Sequence, residues 1–240
     1  VDGDAFDMSA LNRQTSMRDG VPTKRVMAMV ASGLTGRGLS SLSDESQWHV
    51  ALRLLLACRR PVIITGFYVE EAGACETDGP MGAAVLGRAL ERLGKSPLIA
   101  TDWRCRSVVS AASAALRGPK VFVASKGRQL LSFGADLLVF IERPGRARDG
   151  RYYNMRGLDI TDSVEPLDDV VSLIGEVGCK AKVLGIGDGG NEAGMGNFLQ
   201  DLALLLPEYG RGLSAVRSDA PLACDVSNWG AYGLAALMSC

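Results

Sequence analysis

Histidine is nearly absent from this chain, which has one, His49, among its 240 residues. His49 lies beside Trp48 in a helical pattern, where an imidazole on a helix face or in the core is the expected role. Serine–histidine and cysteine–histidine nucleophile schemes need a histidine base and are therefore disfavoured. Any chemistry has to use carboxylates, amides, arginines or a bound metal.

Three further absences narrow the class of protein. The six cysteines include no C-x-x-C pair, the spacing of a zinc site, so free thiols in a reducing compartment are expected. The formal net charge is -1 and no basic run occurs, which argues against a nucleic-acid partner. No apolar run is long enough to cross a bilayer and no signal peptide is recognised, so no membrane partner is expected.

The composition is that of an ordinary globular protein, with 47% hydrophobic and 22% charged residues. This length favours one sizeable core over two. We predict an N-terminal extension over residues 1–45, packed on the rest of the chain. Residues 46–240 are predicted to form one α/β domain.

Short apolar runs alternate with helical patterns along most of the chain. Runs that are apolar at consecutive positions and separated by helices indicate a parallel sheet covered on both sides. We therefore predict a three-layer, mainly parallel, Rossmann-like sheet with helices on both faces. Strands are predicted near residues 62–64, 98–100, 121–123, 137–141, 183–186 and 222–226, and helices near 44–60, 85–93, 104–116, 128–133, 167–175, 198–206 and 230–238.

Polar residues concentrate in the loops that follow the predicted strands. Right-handed crossovers place all these loops at one edge of the sheet, where ligands of α/β proteins bind. The loops before the strands are plain turns. The polar loops contain Glu76-Thr77-Asp78, Thr101-Asp102, Glu142-Arg143 with Arg146, Tyr153, Asn154 and Arg156, Asp188 with Asn191 and Glu192, and Ser227-Asn228-Trp229.

A glycine-rich loop over residues 185–196 follows the most central predicted strand. Its backbone N–H groups and the next helix N-terminus favour an anion, while Asp188 and Glu192 add a site for an ammonium or a metal. The spacing Gly185-x-Gly187-x-x-Gly190 also matches a dinucleotide fingerprint. Asp188 would repel a pyrophosphate, which disfavours that interpretation. In a third interpretation the glycines serve tight turns only.

Five motifs in these loops resemble the C-terminal domain of the D-glutamate cyclase family. The resemblance implies conversion of D-glutamate to 5-oxo-D-proline and water by a lyase. It also implies a location in the mitochondrial matrix for an animal protein, or in the cytoplasm otherwise, and a fused N-terminal hydro-lyase-like domain in the full-length protein. The motifs are Glu76-Thr77-Asp78-Gly79-Pro80, Glu142-Arg143-Pro144-Gly145-Arg146, Tyr152-Tyr153-Asn154-Met155-Arg156-Gly157, residues 187–196 and Ser227-Asn228-Trp229-Gly230.

Cyclising glutamate requires deprotonation of the amine and neutralisation of two carboxylates, which suggests a role for each polar group. Glu192 or Asp78 is predicted as the general base, with Asp188 or Asp102 as orienting group. Asp78 equally fits a helix N-cap. A Mg²⁺ or Mn²⁺ ion held by Asp78, Asp188 and Glu192 is an open alternative, and no nucleotide is expected. Predicted substrate contacts are Arg143, Arg156 and Arg146, the side chains of Tyr153, Asn154, Asn191, Ser227 and Asn228, and the amides of Gly189 and Gly190.

Two other functions compete with the lyase. A non-catalytic amino-acid or carboxylate sensor of a larger hydro-lyase would need the glycine loop and arginines but no base. A nucleotide-binding oxidoreductase is less favoured. The small-residue helix at the end of the chain fits packing either inside the domain or against a second subunit, so a homo-oligomer stays open.

Overall fold

The protein is built on a six-stranded parallel sheet, seen in a computed structural model that describes residues 21–36 and 39–239. A two-stranded antiparallel ribbon, β2 with β3, lies in the connection after the first strand of the sheet. The strands are β1 Pro61–Thr65, β2 Tyr68–Val69, β3 Ala74–Cys75, β4 Leu98–Thr101, β5 Val121–Val123, β6 Leu137–Ile141, β7 Lys182–Gly187 and β8 Ala220–Ala223.

The strand order in the sheet is β5-β4-β1-β6-β7-β8. The chain builds outward from β1 in one direction and from β6 in the other, so the order reverses between these two neighbours. This is the 3-2-1-4-5-6 order of doubly wound folds, in which ligands bind beyond the carboxyl ends of the strands at the reversal. The predicted Rossmann-like sheet is therefore confirmed.

Helices cover both faces of the sheet, as predicted. The α-helices of the described residues are α1 Val21–Val30, α2 Glu45–Ala57, α3 Pro80–Arg92, α4 Arg106–Ala115, α5 Asp169–Glu176, α6 Leu199–Leu205 and α7 Ser227–Leu237. On one face, Ile63, Val139 and Leu184 of the sheet pack with α1, α2, α3, α4 and α7. On the other face, Val62 and Leu138 pack with α5 and the 3-10 helix Gly127–Phe133.

The terminal helix α7 packs tightly inside the domain. A Cβ at Gly233 would lie 2.6 Å from Val26 Cγ1 and 3.2 Å from the Trp48 ring, so this glycine allows α1 and α2 to approach α7. The small residues of α7 thus serve intramolecular packing. The homo-oligomer stays a prediction.

The segment after α1 is anchored to the loop between β8 and α7. The Asp225 carboxylate accepts hydrogen bonds from the backbone N–H groups of Ser32 at 2.7 Å and Gly33 at 2.9 Å. Residues 1–20 and 37–38 of the predicted extension lie outside the described residues, and its boundary at residue 45 stays a prediction. Strand β8 ends at Ala223 rather than at 226, because the Asp225 N–H bonds Val30 O instead of a strand neighbour.

Two sequence expectations about chemistry can be placed on the fold. The five cysteines within the described ranges are all free thiols. Of the helices in those same ranges, none combines the length and apolar character needed to cross a bilayer.

Candidate active site

Three carboxylates converge at the carboxyl edge of the sheet. Asp78 precedes α3, Glu142 follows β6 and Asp188 follows β7. One oxygen of each lies within 4.8 Å of the other two. We call these three residues the acidic cluster. Their elements meet beside the reversal of strand order, where the fold is expected to bind a ligand.

Glu142 has the most unusual environment in the acidic cluster. Its backbone φ is +45°, in the left-handed region that a residue with a side chain adopts only at a cost of about 1–3 kcal/mol. Its side chain is buried, and its Oε2 accepts a 2.5 Å hydrogen bond from the Ser227 hydroxyl. Burial raises the pKa of Glu142, and the charges of Asp188 and Glu192 raise it further. A neutral or cation-bound Glu142 is therefore favoured.

Glu192 occupies the centre of the glycine-rich loop. Its Oε1 accepts hydrogen bonds from the N–H groups of Asp188 at 3.1 Å and Gly189 at 2.7 Å, and its Oε2 from Gly190 at 2.7 Å. Burial raises the pKa of Glu192, while these N–H groups act to lower it. The loop amides predicted to bind a substrate anion are thus already bonded to a carboxylate of the same chain.

The glycines of this loop make room for close packing around Glu192. A Cβ at Gly187 would lie 2.6 Å from Glu192 Oε2, and one at Gly185 would lie 2.6 Å from the Gly194 Cα. The next α-helix, α6, begins only at Leu199 and has seven residues. The predicted helix near residues 198–206 is thus confirmed within one residue at each end, and the glycine loop before it folds back on β7. A pyrophosphate would find its expected N–H donors engaged, which argues against a dinucleotide.

Asp78 and Asn228 cap each other's helices. Asp78 Oδ2 accepts from the Ser227 N–H at 3.1 Å and Oδ1 from the Asn228 N–H at 2.7 Å, at the start of α7. Asn228 Oδ1 accepts from the N–H groups of Gly79 at 3.0 Å and Gly82 at 2.6 Å, at the start of α3. These contacts satisfy N–H groups that have no partner within a helix. Asp78 thus caps α7 from a distant part of the chain, whereas the N-cap residue of α3 is Gly79, whose N–H also donates to Asp78 Oδ1 at 2.9 Å.

The predicted substrate arginine Arg143 is buried away from solvent. Its guanidinium forms an ion pair with Asp102 and donates to Gly66 O at 3.0 Å and Glu165 O at 2.5 Å. The charge of Arg143 is therefore neutralised by Asp102, which had been predicted as an orienting group. This differs from the predicted substrate contact, because the protein itself supplies these polar partners.

The other two predicted arginines also have carboxylate partners. Arg146 pairs with Asp169 and donates to the Tyr152 hydroxyl. The Arg156 side chain is 78% exposed and lies 3.4 Å from Glu71. The structure therefore does not bring Arg146 or Arg156 into the acidic cluster.

Three side chains that were predicted to contact substrate form hydrogen bonds within the protein. Two of these side chains lie in the connection between β6 and α5, and the third joins the glycine loop to that connection. The Tyr153 hydroxyl donates to Asp149 at 2.6 Å, and Asn154 Oδ1 accepts from the Arg156 and Leu158 N–H groups. Asn191 Nδ2 donates to Tyr153 O at 3.0 Å. Asn191 Oδ1 is buried and has no hydrogen-bond partner among the described residues.

Comparison with known proteins matches this chain to one family. A profile of the family described as D-glutamate cyclase-like, C-terminal, matches residues 26–240. The chain belongs to this family. A human protein named D-glutamate cyclase, mitochondrial, is 29% identical over 235 residues, which cover 88% of this chain and 38% of the relative. The D-glutamate cyclase-like domain thus spans well under half of that protein.

The acidic cluster of the D-glutamate cyclase-like domain has the chemistry of a divalent-cation site. Carboxylate oxygens are the preferred ligands of Mg²⁺ and Mn²⁺. The Thr65 hydroxyl is buried beside Gly79 and Glu142 and has no partner among the described residues, so a further oxygen is available there. The predicted ligand set was Asp78, Asp188 and Glu192. Among the described residues, the three carboxylates that lie together include Glu142 rather than Glu192.

Sequence reasoning did not select Glu142 or Thr65 as site residues of the D-glutamate cyclase-like domain. Thr65 is the one polar residue of β1 and ends that strand. Glu142 directly follows the apolar strand β6. Both positions can therefore be recognised in the sequence. Ser227 and Asn228 were selected, and both contact members of the acidic cluster or their backbone neighbours. Their predicted contact with substrate stays a prediction.

Proposed function

We propose that this domain is a lyase that cyclises D-glutamate to 5-oxo-D-proline with loss of water. The observation that carries the proposal is the acidic cluster at the strand-order reversal of a domain in the D-glutamate cyclase-like family. The human relative carries the cyclase name, and this chain covers 38% of it. The activity of the complete protein is thus extended to the domain as part of the proposal.

We include a divalent cation in the proposed site, because both the substrate and the groups around the acidic cluster are negatively charged. D-Glutamate brings two carboxylates, and the charges that act most on Glu142 are those of Asp188, Glu192, Glu76 and Asp78, all negative. The predicted arginines are paired with other carboxylates. With its ammonium, D-glutamate has a net charge of about -1 near neutral pH, so a site of this charge would repel it. We propose that Asp78, Glu142 and Asp188 hold Mg²⁺ or Mn²⁺, which supplies Lewis-acid polarisation of the γ-carboxylate.

The reaction forms one carbon–nitrogen bond and breaks one carbon–oxygen bond. The amine attacks the γ-carboxyl carbon, and one γ-oxygen leaves. The ammonium loses two protons, and the departing oxygen gains both to become water, so atoms and charge balance. We assign the proton transfer to the carboxylates of the acidic cluster. Holding the substrate folded supplies much of the rate enhancement.

Product detection with each glutamate enantiomer tests the proposal. The domain and a full-length protein that contains it are incubated with D- or L-glutamate, and 5-oxoproline is measured by chiral chromatography. We expect 5-oxo-D-proline from D-glutamate. Turnover by neither protein, or turnover of L-glutamate alone, contradicts the proposal. Binding of D-glutamate without turnover supports the sensor alternative instead.

The cation is tested separately by chelation. Activity should be lost in a chelator and should return with Mg²⁺ or Mn²⁺. Glu142→Gln should prevent that recovery, whereas Asp162→Asn should not, because Asp162 is exposed in the connection between β6 and α5 and outside the acidic cluster. Full activity in the chelator would show that the cation part is wrong. For an animal source, the name of the human relative supports a mitochondrial location.

A further inference from the structure

A cavity lies at the opposite edge of the sheet from the acidic cluster. It has a volume of about 670 Å³ and lies between the second half of α2 and the segments that lead into β6 and β7. Ligand cavities have typical volumes of about 300–1,000 Å³. The acidic cluster follows the carboxyl ends of the strands, whereas this cavity is bounded by their amino ends. It is therefore separate from the candidate active site.

The interior of this amino-edge cavity is apolar. Leu54 and Ala57 line it from α2, and Ala135 and Leu137 line it at the start of β6. Cys58 and Cys179 add two sulfur atoms, which behave as small apolar groups when protonated. Burial raises the pKa of the Cys58 thiol to about 12, so it stays neutral. This lining favours a hydrocarbon chain.

The rim of the amino-edge cavity is cationic. Four basic side chains line it, Arg53, Arg60, Lys180 and Lys182, against one carboxylate, Asp136. This concentration of positive charge contrasts with the net charge of -1 for the chain. A cationic rim favours binding of an anionic ligand, because opposite charges attract across the contact.

Most of this positive charge is available to a ligand. Lys182 pairs with Asp219 at 2.8 Å. The Asp136 oxygens accept hydrogen bonds from the backbone N–H groups of Arg59 at 2.7 Å and Arg60 at 3.0 Å. In the described part of the chain, Arg53, Arg60 and Lys180 have no carboxylate within ion-pair distance.

We propose that the amino-edge cavity binds a free amphipathic carboxylate, with its hydrocarbon chain in the apolar interior and its carboxylate at the rim between Arg53 and Lys180. A medium-chain fatty acid has this chemistry. The site is independent of the proposed lyase activity, because it uses none of the residues of the acidic cluster.

Calorimetric titration with decanoate, below its micelle concentration, tests the proposal. We expect decanoate to bind about tenfold or more tightly than decyltrimethylammonium, which has an alkyl chain of similar length and the opposite charge. Acetate, which has the charge without the chain, should bind more weakly still. Equal binding of decanoate and decyltrimethylammonium, or no binding of decanoate at millimolar concentration, overturns the proposal.

Variants locate the site. Arg53→Glu and Lys180→Glu should each weaken decanoate binding about tenfold, whereas Lys120→Glu, an exposed lysine outside the cavity, should leave it unchanged. Ala57→Trp should block the interior sterically. Circular dichroism and thermal unfolding establish that each variant is folded. Unchanged affinity in folded Lys180→Glu and Ala57→Trp proteins would place the ligand elsewhere and refute the assignment.

Discussion

The reciprocal caps of α3 and α7 predict that Asp78 and Asn228 stabilise the fold as a coupled pair. Replacing Asn228 with alanine removes the acceptor for the N–H groups of Gly79 and Gly82, and removes the Nδ2 hydrogen bond to Thr77 O. Replacing Asp78 with alanine removes the acceptor for the N–H groups of Ser227 and Asn228. Each change therefore exposes one helix start and also loosens the partner cap.

The expected loss in the free energy of unfolding follows from the number of capping hydrogen bonds and charges that each variant removes. Loss of an N-cap costs about 1 kcal/mol, with a range of about 0.5–2. Asn228→Ala removes two helix N–H contacts without a change of charge, so we expect about 2 kcal/mol. Asp78→Ala also relieves repulsion with Glu142 and Asp188, so we expect a smaller loss of about 1 kcal/mol. For a domain of this size, 1 kcal/mol lowers Tm by about 2–4 °C.

A double-mutant cycle measured by urea unfolding tests the coupling. The double variant should lose less stability than the two single losses together, by about 0.5 kcal/mol or more, because either change already disturbs the shared helix junction. Asp44→Ala is the control. Asp44 caps α2 by accepting from the Ser46 N–H at 3.0 Å, shares no partner with Asp78, and should be additive with Asp78→Ala. An additive Asp78 and Asn228 pair, or an Asn228→Ala loss below about 0.3 kcal/mol, would refute the reasoning.

Three further predictions concern buried charges. Glu192→Gln should lower the free energy of unfolding by about 2 kcal/mol in urea, because one amide group replaces an oxygen that accepts N–H bonds; an unchanged midpoint contradicts this. The folded-state pKa of Glu142 is raised, so its contribution to stability is present below the ordinary value of 4.5 and is lost as pH rises through the folded-state pKa. In cation-free buffer, wild type should therefore lose stability with rising pH relative to Glu142→Gln, and parallel profiles would contradict that. Arg143→Met leaves Asp102 buried without its ion pair and should cost about 3–5 kcal/mol, with part recovered in the double variant Arg143→Met/Asp102→Asn; a loss below about 1 kcal/mol in thermal unfolding contradicts it.

The alternation of apolar runs and helical patterns was sufficient to predict the sheet, because burial on both faces requires β1 and β6 to be apolar throughout. The same logic predicted that polar loops share one edge. It also brought Asp78, Asp188 and Ser227 into consideration together. Element ends were less well predicted where side chains replaced backbone pairing, as at Asp225 after β8.

The chemical state of each polar side chain could not be read from the sequence. Arg143 was expected to face a substrate, but its partner Asp102 lies 41 positions away along the chain. Asp78 and Asn228 are separated by 150 positions and bond each other's helices. Such pairings depend on where the folded backbone places each group, and residue type does not record that.

By itself, the sequence determined the layer architecture, the edge that carries polar loops and the family, because these depend on periodicity and on local motifs. Only the tertiary structure decided which carboxylates lie together. Glu192 is held by the amides of its own loop, whereas Glu142 is turned into the acidic cluster by a left-handed backbone conformation. The physical reason is that a buried polar group must find its hydrogen-bond partners in space, and most of those partners are distant in the chain.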